Sequence, residues 1–356
     1  MAAASPHLAR LGAVSRPAGS AAAADARAYC ADVLRALGFR TTERAFEYSA
    51  FVGAYATPLA GLLIIPFAGV LAVAPRSRTT ALIAVLILAV VKVVASIATR
   101  RGVLSLPFAR RRGVNLEAVR GGDEPRVWIV AHLDSKWQPV AMLARVAGVL
   151  STTIALTGLI LLALANAALP MSVTWAFVAF ACLGAMPLML SYVGARNHGT
   201  VDNASGVAAV LDAAAAIPTT ARVGVLITDA EELALAGARA WSRSRTPTIA
   251  LNCDSVDDRG SLVVMYTGSR PARLVSLFEK AASSAGQPIR VLRLIPGILT
   301  DHVALADAGW ETLTLSRGDL RTLQRIHTSR DSLAHMSGTG IASAAQVLAR
   351  TATELG

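Results

Sequence analysis

Histidine and carboxylate side chains recur in short polar segments next to strand-like or helix-like stretches of the chain. The residues concerned are His132, Asp134, Asp202, Glu231, Glu232, Asp254 and His327. Histidines and carboxylates together form the nitrogen and oxygen ligand set that suits zinc. Two zinc ions in one site would need a bridging carboxylate, and a further carboxylate must stay unligated to accept a proton from water. The chain has a carboxylate for each of these tasks.

Each of these segments also has an ordinary structural explanation when it is considered alone. Asp202 precedes an alanine-rich helix and could be a capping residue. Glu231 and Glu232 begin another predicted helix, where the helix dipole favours acidic side chains. Asp254 and His327 could be turn residues. Only their joint occurrence at the ends of successive elements favours a metal site.

The polar part of the chain alternates between predicted helices and strands. This order is typical of an α/β fold with a mostly parallel, mixed sheet flanked by helices, in which sites form beyond the carboxyl ends of the strands. His132 and Asp134, two residues apart on one predicted strand, point to the same face. We predict strands at 39–48, 114–121, 126–132, 222–229, 248–253, 261–266 and 311–316, and helices at 23–38, 204–216, 233–243, 271–284 and 337–354.

Four apolar stretches interrupt this pattern, at 51–74, 81–98, 146–169 and 172–193. Each is about as long as a helix that crosses a bilayer, and short links join them in pairs. We therefore expect four transmembrane helices arranged as two hairpins, although four buried core helices are the alternative. Lys92 is the only charge inside the stretches, and we expect it to face a neighbouring helix or a polar cavity.

The composition agrees with membrane insertion. Hydrophobic residues make up 54% of the chain, charged residues only 16%, and the mean hydropathy is +0.52. The net charge of +11 comes largely from arginines beside the apolar stretches. We interpret these arginines as determinants of membrane orientation, and we expect no nucleic-acid partner.

The arginines also predict which side of the membrane holds the polar domain. Most lie at the polar-domain ends of the stretches, whereas only Arg76 and Arg78 lie between the first two. The positive-inside rule then places the catalytic domain in the cytoplasm. Cys30, Cys182 and Cys253 lack metal-binding spacing, which agrees with free thiols in a reducing compartment.

The expected domain organisation follows from these boundaries. Residues 1–22 are rich in small residues, and we predict a disordered tail without a cleaved export signal. Residues 23–50, 99–145 and 194–356 form one catalytic domain. Residues 51–98 and 146–193 form the two transmembrane hairpins.

Five motifs, AHLDS, VDNASGVAAVLDAA, TDAEELALAGARAW, LNCDS and HTSRDS, resemble those of the di-zinc aminopeptidases that include bacterial leucyl aminopeptidase and aminopeptidase Y. The resemblance covers the polar parts from about residue 23 to 355. It implies two Zn²⁺ per chain, bridged by Asp202. His132 and Asp254 would complete one site, and Glu232 and His327 the other.

The same resemblance implies the roles of the remaining residues. Glu231 would be the general base, and Asp134 would hold the His132 ring. Asp331 would support the loop that carries His327. Residues 135–201 depart from the family, because they insert the second hairpin where soluble relatives have a short loop. We expect this insertion to bring the metals close to the membrane, so the substrate preference of soluble peptidases is not carried over.

The expected function is that of a membrane-bound zinc metallopeptidase, an aminopeptidase that uses zinc-activated water on peptide or aminoacyl substrates. Two alternatives stay open: a single-zinc acyltransferase of the glutaminyl-cyclase type, and a non-catalytic membrane scaffold on a peptidase fold. His198 is expected to be an exposed loop residue, and Asp301-His302 a helix cap and support. Trp137 would shape the entrance or anchor the membrane interface. Substrate side-chain preference and oligomeric state are left open.

Overall fold

The computed structural model describes residues 5–122, 124–166 and 170–356. Residues 1–4 of the predicted tail, Asp123 in the predicted turn after the 114–121 strand, and residues 167–169 at the end of the third apolar stretch lie outside the described residues. The strands are β1 (Arg40–Ser49), β2 (Arg110–Arg120), β3 (Val127–His132), β4 (Val223–Thr228), β5 (Ile249–Val256), β6 (Ser261–Tyr266), β7 (Ile289–Arg293) and β8 (Glu311–Gly318).

The helices lie on both sides of the sheet, except for a bundle of long apolar helices that projects from one end. In chain order they are α1 (Pro6–Leu11), α2 (Ala21–Ala36), α3 (Phe51–Val73), α4 (Arg78–Ile97), α5 (Val103–Ser105), α6 (Met142–Leu164), α7 (Met171–Met189), α8 (Gly206–Ala216), α9 (Ala236–Ser242), α10 (Ala272–Ser284), α11 (Asp301–Asp307), α12 (Leu320–Arg325) and α13 (Thr339–Leu355).

The eight strands form one mixed sheet in the order β1-β2-β4-β3-β5-β8-β6-β7. β3 pairs in parallel with β4 and β5, and β5 pairs in parallel with β8. The outer strands β1, β2 and β6 add antiparallel pairs. This architecture confirms the predicted α/β class and the mostly parallel centre of the sheet.

The central strands are buried on both faces. Every residue of β3 and β4 is buried, as expected for parallel strands that are covered by helices on each side. On one face α8 packs closely because its side chains are mostly alanine and valine. Gly206 begins this helix, where a Cβ atom would stand 2.6 Å from the carbonyl oxygen of Cys253. The small residues therefore bring the start of α8 directly over the end of β5.

Four helical segments are long and apolar enough to cross a membrane. They are α3, the segment Arg78–Ser105 that contains α4, α6, and α7. At most 39% of the most apolar part of any of them is buried. Their outer faces expose rows of leucine, isoleucine and valine, an apolar surface of the kind that marks an interaction with a membrane or with another protein. The predicted apolar stretches are therefore helices, and they lie in a bundle outside the α/β core. Lys92 is exposed on α4 rather than facing a neighbouring helix or a cavity.

The second hairpin joins the catalytic domain through a short neck formed by residues 135–138 and 191–197. Trp137 and Gly194 exchange two backbone hydrogen bonds, of 3.0 and 2.8 Å. The Asn197 side chain donates to the Lys136 carbonyl at 2.9 Å, and the Gln138 side chain donates to the Ser191 carbonyl at 2.7 Å. These bonds fix both ends of the insertion against each other.

The structure also differs from the sequence prediction in the amino-terminal segment and at one edge of the sheet. Residues 5–22 are not a disordered tail, because α1 buries Leu8 and Leu11 and the following Arg16 is fully buried. The edge strand β7 was not predicted. Its sequence IRVLR is short and includes two exposed arginines, so it lacks the regular apolar alternation on which strand prediction depends.

Candidate metal centre

The seven predicted site residues lie together at one edge of the sheet. His132 is the last residue of β3, and Asp254 lies near the end of β5. Glu231 and Glu232 follow β4, and Asp202 precedes α8. Because β3, β4 and β5 are parallel neighbours, their carboxyl ends meet at this edge. All seven side chains are buried, none more than 7% exposed.

Asp202 lies between the two histidines. One of its carboxylate oxygens, Oδ1, is 3.1 Å from Nε2 of His132. The other, Oδ2, is 3.0 Å from Nε2 of His327. A carboxylate that offers one oxygen to each of two imidazoles has the arrangement of a bridging ligand.

Further carboxylates complete two groups around these imidazoles. His132, Glu231 and Asp254 place one potential ligand atom each within 4.8 Å of one another, and so do Asp202, Glu232 and His327. Around a zinc ion with bonds of 2.0–2.1 Å, tetrahedral ligand atoms stand about 3.3 Å apart. The observed separations of 3.0 to 3.7 Å between imidazole nitrogen and carboxylate oxygen fit that spacing.

The charge of the cluster also fits cation binding. Asp202, Glu231, Glu232 and Asp254 face one another in a buried space, where unpaired anions are costly. Oε1 of Glu231 is buried and has no hydrogen-bond partner among the described residues. Burial raises the pKa of Glu231 well above its usual value, and the carboxylates of Glu232 and Asp254 raise it further, against the lowering by His132. Bound cations would relieve this repulsion.

The two histidines hold the bridging carboxylate in its charged form. Burial would raise the pKa of Asp202, but the facing imidazoles of His132 and His327 lower it below its ordinary value. Burial would lower the pKa of His132, but Glu231, Asp134, Asp202 and Asp254 hold it well above the ordinary value. The His132 imidazole and these carboxylates therefore stabilise one another's charged forms.

Asp134 positions the two glutamates rather than only the histidine. Its two carboxylate oxygens accept hydrogen bonds from the backbone N–H groups of Glu231 and Glu232, at 3.0 and 3.2 Å. The His132 ring atom Nδ1 lies 3.1 Å from the Asp134 carbonyl oxygen and 3.6 Å from its carboxylate. The backbone carbonyl is thus the closer partner of the imidazole. Asp134 fixes the loop that carries Glu231 and Glu232.

Lys136 is a site residue that the sequence analysis did not identify. Its ammonium forms an ion pair of 2.5 Å with Oε2 of Glu232, and both side chains are buried. Burial would raise the pKa of Glu232, but Lys136 and then His327 hold it at about 2. Lys136 follows the AHLDS motif directly, so its position in the sequence was the available signal.

Two buried side chains connect the loops around the centre. Asp331 accepts hydrogen bonds from the backbone N–H groups of Val201 and Asp202, at 2.6 and 3.2 Å. It therefore ties the loop after His327 to the loop that carries the bridging aspartate. Arg16 donates to the carbonyl oxygens of Leu133, His198 and Gly199, among others, from the amino-terminal segment that was predicted to be disordered.

Non-glycine residues with left-handed backbone conformations concentrate at the centre. Ala230, which precedes Glu231, has φ of 58°, and Ser255, which follows Asp254, has φ of 59°. His327 itself has φ of 69°. Such conformations cost about 1–3 kcal/mol each, so the surrounding contacts must hold them in place. They turn the chain sharply after each element and point the polar side chains into the centre.

A cavity of about 860 Å³ extends from the metal-binding groups to the long apolar helices. Asp202, Glu231 and His327 are among the residues that line its polar end. Residues from α3, from the segment after α4, and from α6 also line it. The insertion therefore borders the active-site cavity, as its place in the sequence indicated.

The other predicted residues lie outside the cluster. The His198 side chain is exposed, in agreement with the prediction. Asp301 and His302 are fully buried in the first turn of α11, and Asp301 accepts a hydrogen bond of 2.5 Å from Thr228. Thr300, not Asp301, occupies the N-cap position of this helix, and its side chain forms no capping hydrogen bond. Trp137 packs against Tyr192 and Arg196 at the neck and is not among the residues that line the large cavity.

Comparison with solved structures shows the same fold in aminopeptidases and in a glutaminyl cyclase. The aminopeptidase from Aneurinibacillus sp. strain AM-1 matches with a TM-score of 0.59 and 13% identity, over 98% of this chain and 92% of that chain. The zinc aminopeptidase of Bacillus subtilis matches with a TM-score of 0.56 and 13% identity, over 98% and 94%. A glutaminyl cyclase from Bacteroides thetaiotaomicron matches with 0.57 and 16%, over 98% and 96%.

A search of curated proteins found no match. The comparison with family models gives a more specific result. The model of peptidase family M28, however, matches residues 115–352, which include the second hairpin and all seven site residues. This match covers well over half of the chain. The chain belongs to peptidase family M28.

Proposed function

We propose that this protein is a membrane-embedded aminopeptidase that binds two zinc ions and removes the N-terminal residue of peptides. The observation that carries the proposal is the position of the Asp202 carboxylate between the His132 and His327 imidazoles, with Glu231 beside them. Membership of peptidase family M28 supports peptide bond hydrolysis, and the similar aminopeptidase structures support attack at the N-terminal residue.

The chain offers a complete ligand set for two ions. In the proposed arrangement Asp202 would be shared by both ions, His132 and Asp254 would hold one, and Glu232 and His327 would hold the other. When bound, the two ions polarise the carbonyl group of the scissile bond and lower the pKa of water at the site. Glu231 stays unligated in this arrangement, although its carboxylate lies within the His132 group.

Glu231 is the proposed general base and acid. Its buried carboxylate oxygen without a partner faces the cluster, where it can accept a proton from the attacking water and pass it to the leaving amine. The two bonds from the Glu231 and Glu232 backbone to Asp134 hold this carboxylate in place during both transfers. The excess of carboxylates also favours a substrate with a free N-terminal amine.

The proposal places the four long helices in a bilayer and the catalytic domain on its cytoplasmic side. The exposed apolar faces of the helices support membrane insertion. Arg100 and Arg101 follow α4, and Arg196 lies at the neck, so positive charge concentrates at the catalytic end of the bundle. By the positive-inside rule this end faces the cytoplasm.

Hydrolysis and metal content test the proposal together. Detergent-purified protein should contain two equivalents of zinc by mass spectrometry and should hydrolyse aminoacyl substrates. Glu231→Gln should retain the zinc and lose about two to four orders of magnitude in turnover. Glu279→Gln, which changes an exposed glutamate on α10, is the matched control and should keep both. Activity of Glu231→Gln at the wild-type level, with its zinc bound, would contradict the assignment.

A glutaminyl-cyclase-like acyl transfer is the second candidate, because a glutaminyl cyclase shares the fold. Acyl transfer of the glutaminyl-cyclase type requires a single zinc ion. Asp202→Ala separates the two candidates, since loss of the bridging carboxylate should empty both positions of a two-ion site. One zinc equivalent in the wild type, together with cyclisation of N-terminal glutamine peptides, would favour the cyclase. Absence of zinc after reconstitution would favour a non-catalytic scaffold.

A further inference from the structure

The 860 Å³ cavity ends at the level along the helices where their outer surfaces begin to expose large aliphatic side chains. Three helical segments line this end, and each contributes a residue close to the first exposed aliphatic side chain. Thr57 lines the cavity on α3, and Leu59 is 43% exposed. Val149 lines it on α6, and Leu150 is 46% exposed. The cavity wall and the outer apolar surface therefore meet within two residues on each helix.

The segment after α4 shows the same pattern, although there the exposed aliphatic residue precedes the cavity-lining residue in the chain. Thr99, just after α4, lines the cavity, and Ile97 is 55% exposed. Since residues of a helix rise about 1.5 Å each, a separation of two residues is about 3 Å along the axis. Three separate segments thus place the inner end of the cavity at the level where the apolar belt of the bundle begins.

A loop beside α6 adds further apolar side chains to the cavity wall. The loop from Leu294 to Thr300 joins β7 to α11 and contributes Ile295, Ile298 and Leu299 to the cavity, and Leu299 is half exposed. The Arg145 side chain on α6 donates to the carbonyl oxygen of Gly297 at 3.3 Å, which holds this loop against the first turns of the helix. Apolar side chains therefore continue from the cavity to its rim beside the bundle.

From this geometry we propose that the substrate is a membrane-associated peptide, which enters the cavity from the membrane interface. The inference rests on the proposed function and specifies its substrate class. The N-terminal residue reaches the carboxylate cluster, while the apolar residues beyond the scissile bond lie between α3, α6 and the 294–300 loop. A water-soluble peptide would leave this apolar wall without a partner. A peptide with an apolar segment covers the wall without leaving the interface.

The proposal predicts a preference for substrates that are anchored in the membrane. In lipid nanodiscs, a short peptide with a C-terminal acyl anchor should be hydrolysed with a kcat/KM about a hundredfold higher than the same peptide without the anchor, because anchoring raises its effective concentration at the cavity. A small aminoacyl coumarin is the reference, since it needs only the metal-proximal end. Equal kcat/KM values for the two peptides would overturn the proposal and leave the proposed hydrolysis intact.

Variants at the cavity wall test the route itself. Val149→Trp should lower the ratio of anchored-peptide to coumarin hydrolysis by about tenfold, a loss of roughly 1.4 kcal/mol in transition-state stabilisation. Leu150→Trp, one residue away on the outer face, is the matched control and should leave that ratio unchanged. Thr57→Trp and Leu59→Trp form a second pair on α3. Identical ratios within both pairs would contradict entry along these helices.

Failure to hydrolyse the coumarin would count against the proposed function. In that case the position of the cavity relative to the bilayer can still be measured without any activity. A fluorophore on Val149→Cys, in a Cys182→Ala background, is exposed to spin-labelled lipids or to a water-soluble quencher. Quenching by lipids that carry the label at the headgroup level supports a cavity that reaches the interface. Quenching by the water-soluble reagent alone would overturn the proposal independently of any activity.

Discussion

Replacement of Lys136 by methionine should destabilise the zinc-free protein and make its stability depend more strongly on zinc. The Lys136 ammonium lies 2.5 Å from Oε2 of Glu232, and both side chains are buried. Methionine keeps most of the apolar stem but removes the charge. Glu232 would then be a buried carboxylate that faces Asp202 without its ammonium partner. Removal of one partner from a buried ion pair is costly because the other charge remains in place.

The pKa of Glu232 gives the size of the effect. Lys136 and His327 hold this pKa at about 2 against an ordinary value of 4.5, although burial acts in the opposite direction. At about 1.4 kcal/mol per pKa unit, the difference corresponds to about 3 kcal/mol of stability. Because the pKa of the folded state is depressed, this stability is present above pH 4.5 and is lost as the pH falls towards 2. At pH 7 Lys136→Met should lose the larger part of this stability, because Lys136 is the largest cause that lowers the pKa and His327 remains in place.

Thermal unfolding of detergent-purified protein measures the loss. With a chelator present, Lys136→Met should unfold up to about 6 °C below the wild type, at roughly 2 °C per kcal/mol for a chain of this size. Lys280→Met is the matched control, because Lys280 pairs with Glu354 at 3.0 Å on the exposed surface. Its midpoint should change by less than about 2 °C.

Zinc should narrow the gap between Lys136→Met and the wild type. A cation held by Glu232 and His327 takes over part of the charge compensation that the ammonium supplies. The reasoning would be refuted by a chelator-treated Lys136→Met as stable as Lys280→Met. It would also be refuted if saturating zinc left the gap between the two midpoints unchanged.

Three further predictions concern the contacts around the centre. Gly53→Val should lower aminoacyl hydrolysis roughly ten- to a hundredfold with zinc retained, because a Cβ atom at this position would stand 2.4 Å from the Leu233 backbone, beside Glu232. Gly69→Val is the control and should keep full turnover, because Gly69 lies in open space on the same helix. Asp331→Asn should cost about 1–3 kcal/mol in unfolding free energy and lower the zinc content, since it weakens the acceptors of two buried N–H groups. Burial lowers the pKa of His302 to about 4, so between pH 6.5 and 4 the unfolded chain binds a proton that the folded chain does not. The wild type should therefore lose up to about 3 kcal/mol of unfolding free energy across this range. His302→Gln should remove this loss, which unfolding midpoints between pH 6.5 and 4 would measure.

The position of the site could be predicted because it depends on local patterns and one general rule. β3 and β4 are almost entirely apolar and β5 begins with an apolar run, and a polar site residue lies at or just beyond the carboxyl-terminal part of each strand. In a parallel sheet such ends meet at one edge. His132, Glu231 and Asp254 could therefore be placed together from the order of the elements alone. Their mutual distances required the structure.

The contacts that position these residues could not be predicted in the same way. The family resemblance implied that Asp134 holds the His132 ring, and its carboxylate lies 3.6 Å from that ring, but its hydrogen bonds to the backbone of Glu231 and Glu232 were not foreseen. Arg16 donates to carbonyl groups more than a hundred residues away. A backbone carbonyl has no sequence signature, so only the folded chain shows which loops meet. The same reason explains why the amino-terminal segment was expected to be disordered.

The second hairpin separates two parts of one catalytic centre, which constrains how it can be attached. His132 and Asp134 precede it in the chain, and Asp202 follows it, yet the His132 imidazole and the Asp202 carboxylate stand 3.1 Å apart. The neck between residues 135–138 and 191–197 must therefore hold the two ends of the insertion as firmly as a short loop would. The paired backbone bonds of Trp137 and Gly194 do so directly above the centre. Because the same neck continues into α6 and α7, we expect a tilt of this helix pair to change the distance between His132 and Asp202. With the helices placed in a bilayer as proposed, zinc affinity measured in nanodiscs of different lipid chain length should therefore vary, and an unchanged affinity would contradict this coupling.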